Sequence, residues 1–158
     1  HRRYQAAAEQ FEQFLDGGLG WIEDNIAACQ LLGKCKGELK DEKGRIRAYM
    51  RSFEYDTPRP ELCCAIGYHF KWARRYRVAK YWFLQALNYQ KPQQVLGFQH
   101  PDYQGYIPAM ELCVCCDHLG EREEAIRYNR LAGSFKPESK QVQYNNAYFA
   151  KKKEAEKP

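Results

Sequence analysis

The sequence predicts an all-α fold, a right-handed solenoid of antiparallel helix pairs. Three observations carry that expectation. Apolar residues recur at helical spacing along nearly the whole chain, and no period-2 alternation marks a strand. The helical stretches come as neighbours joined by short connections. Gly33 and Gly67 stand at matching points of two such stretches, 34 residues apart. A fixed spacing of that size marks an internal repeat.

The elements follow in order. YQAAAEQFEQFLDGG sets Ala7, Ala8, Phe11, Phe14 and Leu15 on one stripe and ends in glycines. WIEDNIAACQLLGKC places Trp21, Ile22, Ile26, Cys29 and Leu32 on one side. RIRAYMRSFEYDTP is stopped by Pro58 and Pro60. ELCCAIGYHFKWA and RVAKYWFLQALNYQ make a pair; YIPAMELCVCCDHLG and REEAIRYNRLAGSF make another, closed by Pro137. KQVQYNNAYFAKKKEAE is a last amphipathic helix with a charged, fraying end. Residues 1–18 read as a partial helix of a preceding repeat. Residues 19–151 read as the repeat domain, about three helix pairs and a capping helix, and residues 152–158 as a charged tail.

The register within each pair is specific. Gly67, Phe70, Tyr76, Ala79, Phe83 and Ala86 carry the pattern in one pair, and Leu112, Leu119, Gly120, Ala125, Ala132 and Pro137 carry it in the next. This resembles the tetratricopeptide repeat: a small residue where two helices cross, aromatics on both, alanines where neighbours approach. The first repeat is less regular, with Leu39, Tyr49 and Ser52 in place but Arg45 where an alanine is expected. The third begins late. Cys113 takes the crossing position 46 residues after Gly67, an excess of twelve over one period. The excess falls in KPQQVLGFQHPDYQGY, giving an insertion loop near 92–104. Insertions in repeat proteins map to loops on one face, often the binding face.

Composition bounds the function. A chain of 158 residues with 44% hydrophobic content is one globular domain. The net charge of +5 permits anionic partners without demanding nucleic acid, and no recognition motif accompanies the charge. No apolar run approaches the roughly 20 residues that span a bilayer, and no signal peptide is visible. The opening is already in helical rhythm and lacks an initiator Met, so the chain reads as a piece of a longer polypeptide. Seven cysteines without scaffold spacing fit reduced thiols in a cytoplasmic protein.

The cysteines pose the sharpest question of chemistry. Six of them occupy register positions that bury small or medium apolar groups, where free Cys behaves as a small hydrophobe. The competing reading is a metal at Cys113 and Cys116, a C-x-x-C next to Asp117 and His118. A structural zinc wants a second ligand pair at similar spacing, which Cys63 and Cys64 do not supply. Cys64 falls toward the concave face near the basic run, so it is the reactive candidate if any thiol is. No Gly-rich phosphate loop, H-E-x-x-H or G-x-S-x-G is present, and no carboxylate pair recommends itself for acid–base work. No cofactor is implied.

The first helix of each pair should line the concave groove. That strip is Gln30 and Lys34, then Tyr68, Lys71 and Trp72, then Val114, Asp117 and His118, with Glu38 and Met110 near its ends. Such grooves bind extended peptides or a neighbouring domain. The expected contact residues are Gln30, Lys34, Tyr68, Lys71, Trp72, Asp117 and His118. The run KWARRYRVAK reads as the solvated turn between two helices, with phosphate or sugar-nucleotide binding as the alternative.

Four strings, IEDNIAACQLLGKC, RAYMRSFEYDTPRPELCCAIGYHF, YWFLQALNYQKPQ and AMELCVCCDHLGEREEAIRYNRLAG, resemble the C-terminal region of bacterial family-2 type glycosyltransferases. The resemblance spans about residues 4–150. It implies a non-catalytic module downstream of a nucleotide-sugar transferase domain. The partners it implies are that upstream glycosyltransferase domain and a protein or peptide acceptor. Homodimerisation, or a free-standing adaptor, is the alternative.

Overall fold

The computed structural model describes residues 2–90 and 100–155. Among them are eight α-helices and no strand. These are α1 (Arg2–Gly17), α2 (Ile22–Glu38), α3 (Glu42–Arg51), α4 (Pro60–Trp72), α5 (Tyr76–Leu87), α6 (Tyr106–His118), α7 (Arg122–Phe135) and α8 (Lys140–Ala155). Helices α2–α3, α4–α5 and α6–α7 pair antiparallel and stack in order, with α1 before and α8 after them. The architecture is the α-solenoid that the periodicity predicts. No helix among the described residues is long and apolar enough to cross a membrane.

The turn inside each pair is built three times over. Lys40, Arg74 and Gly120 take the left-handed conformation, with φ of 61°, 56° and 77°. The next residues, Asp41, Arg75 and Glu121, each donate an N–H to a carbonyl five residues back, at Lys36, Phe70 and Cys116, all at 2.9 Å. This is the Schellman closure that satisfies the last carbonyls of a helix. Only the third copy uses glycine; the other two hold an L residue where its Cβ is crowded.

The crossings follow the same register. Gly33 lies against the Tyr49 ring, where a Cβ would come within 2.1 Å of the ring. Gly67 lies likewise against Phe83. At the third crossing Cys113 replaces the glycine, and the position sixteen residues on is Asn129 rather than an aromatic. The smaller partner makes room for the thiol. Asn145 of α8 donates to Asn129 Oδ1 at 3.0 Å and reaches Cys113 Sγ at 3.7 Å, filling the remaining space.

Several expectations need correction. Helix α3 ends at Arg51 in a 3-10 turn, Ser52–Glu54, and Pro60 opens α4 rather than stopping a helix. A proline at the first turn loses no hydrogen bond there. Arg45 is not a defect at its alanine position. Gly37 faces it: a Cβ there would come within 2.9 Å of Arg45 Cδ, so the missing side chain makes room for the arginine. Phe14, Trp21 and Ile22 are exposed rather than core. Met110 is buried beneath α8, where Asn145 Nδ2 is 3.3 Å from its sulfur. Helix α8 continues through Ala155, so Lys152 is helical and pairs with Asp117. Of the insertion, residues 91–99 lie outside the described residues, and Pro101–Gln104 forms a 3-10 turn packed on α4 and α6.

Candidate functional site

Three of the expected groove residues come together at the C-terminal end of α4. Tyr68 and Trp72 are one turn apart, and their rings stack with centroids 5.8 Å apart. Tyr68 also meets the buried Phe83 edge-on at 5.4 Å. The Lys71 ammonium lies 5.0 Å from the Tyr68 ring and pairs with Glu111 of α6. Burial, then the Glu111 carboxylate, push the Tyr68 phenol well above its ordinary range, so it stays a neutral donor to Glu111.

From the other side, Arg45 of α3 places its guanidinium 5.3 Å from the Trp72 ring. It also pairs with Glu42 and lies 3.3 Å from His69 Nδ1, and that nitrogen is 3.2 Å from Glu42 Oε2. Trp72 remains 65% exposed between these supports. The result is an aromatic and cationic edge held by three repeats at once. Its Arg and Tyr contacts are of the kind that cation–π attraction favours.

The other expected residues serve differently. Gln30 is half-buried and Lys34 exposed on α2; Lys34 makes no ion pair among the described residues. Asp117 accepts from Tyr148 and Lys152, both at 3.0 Å, and so fastens α8. The His118 ring stacks on Tyr76 at 4.1 Å and 6°, joining α6 to the start of α5. Arg45, His69 and Glu111 were not among the expected residues. Arg45 carried a signal, its misfit to the repeat pattern. Glu111 carried none, because its contact with Lys71 spans 40 residues.

The basic run forms the α4–α5 turn, as the charge pattern predicts. Arg74 is exposed and Arg75 lies 4.9 Å from the Phe70 ring. Lys71 and Lys80 are taken by Glu111 and Glu121.

All seven cysteines are buried. Cys64 corrects the expectation of a reactive thiol on the groove. Residues 100–104 cross that part of α4, with the His100 N–H 3.3 Å from Glu61 and the Tyr103 carbonyl 3.9 Å from Cys64 Sγ. Burial pushes the thiols of Cys29 and Cys116 up to about 11, those of Cys63, Cys113 and Cys115 up to about 12, and that of Cys64 higher still. Among the described residues no three His, Cys, Asp or Glu side chains are placed to share a metal ion. We expect a disulfide-exchange reagent at pH 8 to label none of the seven in the native protein and all seven in denaturant. Rapid native labelling of one thiol is the outcome that contradicts it.

No family model matches the chain, and no curated protein matches it. Among solved structures, MamA superposes with a TM-score of 0.62 at 18% identity, over 85% of this chain and 69% of that chain. The fold is tetratricopeptide-like. That likeness carries the fold and nothing about a transferase.

Proposed function

We propose that this chain is a non-catalytic interaction module that docks a protein or peptide segment on the edge formed by Tyr68, Lys71 and Trp72. The observation that carries the reading is Trp72: a large ring left 65% exposed, yet stacked on Tyr68 and flanked by Arg45. A pre-positioned aromatic loses little side-chain entropy on binding, and Trp, Tyr and Arg dominate contact energetics. Residues 100–104 pack beside Glu61 and Cys64, whereas Trp72 stays exposed among the described residues. The sequence resemblance to family-2 type glycosyltransferases supports a partner of that kind, either a transferase domain joined to this module or its protein acceptor.

Trp72→Ala should weaken partner capture from source-cell lysate by about 30-fold or more, the loss of a hot spot of roughly 2 kcal/mol. Stability should change by less than about 1 kcal/mol, since the ring is largely exposed. Lys71→Ala should act in the same direction. Capture unaffected by both changes removes this site. The mass of the native polypeptide, read with an antibody against the chain, tests the transferase association: a band far above 18.6 kDa supports it, and a band near 18.6 kDa makes the protein a free adaptor.

A further inference from the structure

The turn between α4 and α5 holds a strained residue that the fold does not require. Its left-handed position is taken by Arg74, with φ of 56°, where the third pair uses Gly120. Glycine adopts that conformation without strain. The Arg74 side chain offers no contact in compensation: it is exposed, with no ion pair or side-chain hydrogen bond among the described residues. Arg75 follows it, also exposed, its guanidinium 4.9 Å from the Phe70 ring and without a carboxylate partner among the described residues. Lys40 holds the equivalent position in the first pair, but Asp41 and Glu42 come directly after it and offset its charge. In the third pair Glu121 stands where Arg75 does. Of the three turns, the middle one alone is left with cations that no neighbouring acid neutralises.

These cations adjoin Trp72. The ring ends α4 two residues before Arg74, and the Arg45 guanidinium lies 5.3 Å from it. The carboxylates at this edge are already engaged, Glu42 by Arg45 and Glu111 by Lys71. A guanidinium held over an aromatic face, as Arg75 is over Phe70, keeps its N–H fork free, and that fork matches a carboxylate. The excess of positive charge is also short. Glu42 and Glu121 lie at the neighbouring turns, so a continuous polyanion crossing the repeats would run onto acidic residues on both sides. One exposed ring is no platform for successive bases. A peptide with a few separate carboxylates and one apolar side chain fits both features.

We infer that the segment docked on the Trp72 edge is acidic, with an apolar side chain against Trp72 and flanking Asp or Glu carboxylates on Arg74 and Arg75. This rests on the docking proposed for that edge and specifies the chemistry of the partner. Salt screens the attraction to the arginines, while the contact with the ring persists.

Fluorescence anisotropy of the chain with two labelled peptides tests it. One sets Asp and Glu around a central Phe; the other has Asn and Gln in their places. The acidic peptide should bind about ten-fold tighter at low salt, and the margin should shrink as salt rises. Arg74→Gly and Arg75→Gln should each weaken the acidic peptide by about three-fold, the size of one exposed ion pair, and leave the amide peptide unchanged. Both variants should fold. Arg74→Gly relaxes the left-handed position, so its urea midpoint should stand at or above that of the parent. Trp72→Ala should weaken both peptides alike, because it removes the ring and not the charge. Equal binding of the two peptides, or no binding of either, overturns the inference. So does a single-stranded oligonucleotide that binds more tightly than the acidic peptide, which would assign the turn to nucleic acid. Equal binding that Trp72→Ala still abolishes removes the acidic preference and keeps the docking edge. The docking edge itself fails when Trp72→Ala changes neither peptide binding nor partner capture.

Discussion

Phe83→Ala should lower the stability of this domain by about 3–5 kcal/mol, the usual cost of emptying a fully packed aromatic site. Phe83 is completely buried, Tyr68 walls one side edge-on, and Gly67 presses against its ring. A Cβ at Gly67 would stand 2.8 Å from the ring, so Gly67→Ala alone is overpacked despite its gain of about 1 kcal/mol in helix propensity. With the ring removed, the same methyl enters the space it left. Gly67→Ala should therefore destabilise the parent and stabilise the Phe83→Ala variant. A double-mutant cycle by urea denaturation reads this coupling directly. Simple additivity would show that the two helices are not locked at this crossing.

Arg59→Ala should cost about 2–3 kcal/mol, measured the same way. The residue is only 5% exposed. Its guanidinium bonds Glu23 of α2 and Asp56 of the α3–α4 connection, both at 2.8 Å. Removing the cation strands two carboxylates; their partial exposure places the cost below the roughly 3–5 kcal/mol of a fully buried pair. Arg59→Lys should rescue only part of the loss: Nη2 alone bonds both acids, and an ammonium has no second nitrogen to replace Nη1 at the Thr57 carbonyl and the Tyr89 hydroxyl. The pH dependence has a defined sign. The Thr57 N–H, then the Arg59 guanidinium, hold the Asp56 carboxyl below its usual range. A depressed carboxylate adds stability above its unfolded value, about 3.9, and that contribution is lost as pH falls through the lower folded value. Acid should thus weaken the parent below about pH 4. The slope should be smaller, though not absent, in Arg59→Ala, where the Thr57 bond remains.

Much of the architecture was legible because the repeat is local and periodic. Gly33, Gly67 and Cys113 mark crossings whose geometry depends on one small side chain each. The turn closures at Lys40, Arg74 and Gly120 fall on the same register. Arg45 shows where that reasoning stops. It breaks the pattern in sequence, and only the facing Gly37, eight residues earlier and on another helix, explains it. Cys64 shows the same limit. Its register position points into the groove, but the returning segment at Tyr103 covers it, and no local pattern announces a contact spanning 39 residues.

The sequence by itself determined the helices, their pairing and the burial of six of the seven cysteines, because 3.6-residue periodicity and the size of a crossing residue act within one repeat. Tertiary structure alone decided which groove residues form a surface. Tyr68, Lys71 and Trp72 became one edge because Glu111 and Arg45 reach them from neighbouring repeats, whereas Asp117 and His118 were drawn into holding α8 and α5. Those pairings depend on where helices far apart in the chain meet in space, and spacing along the sequence carries no record of it.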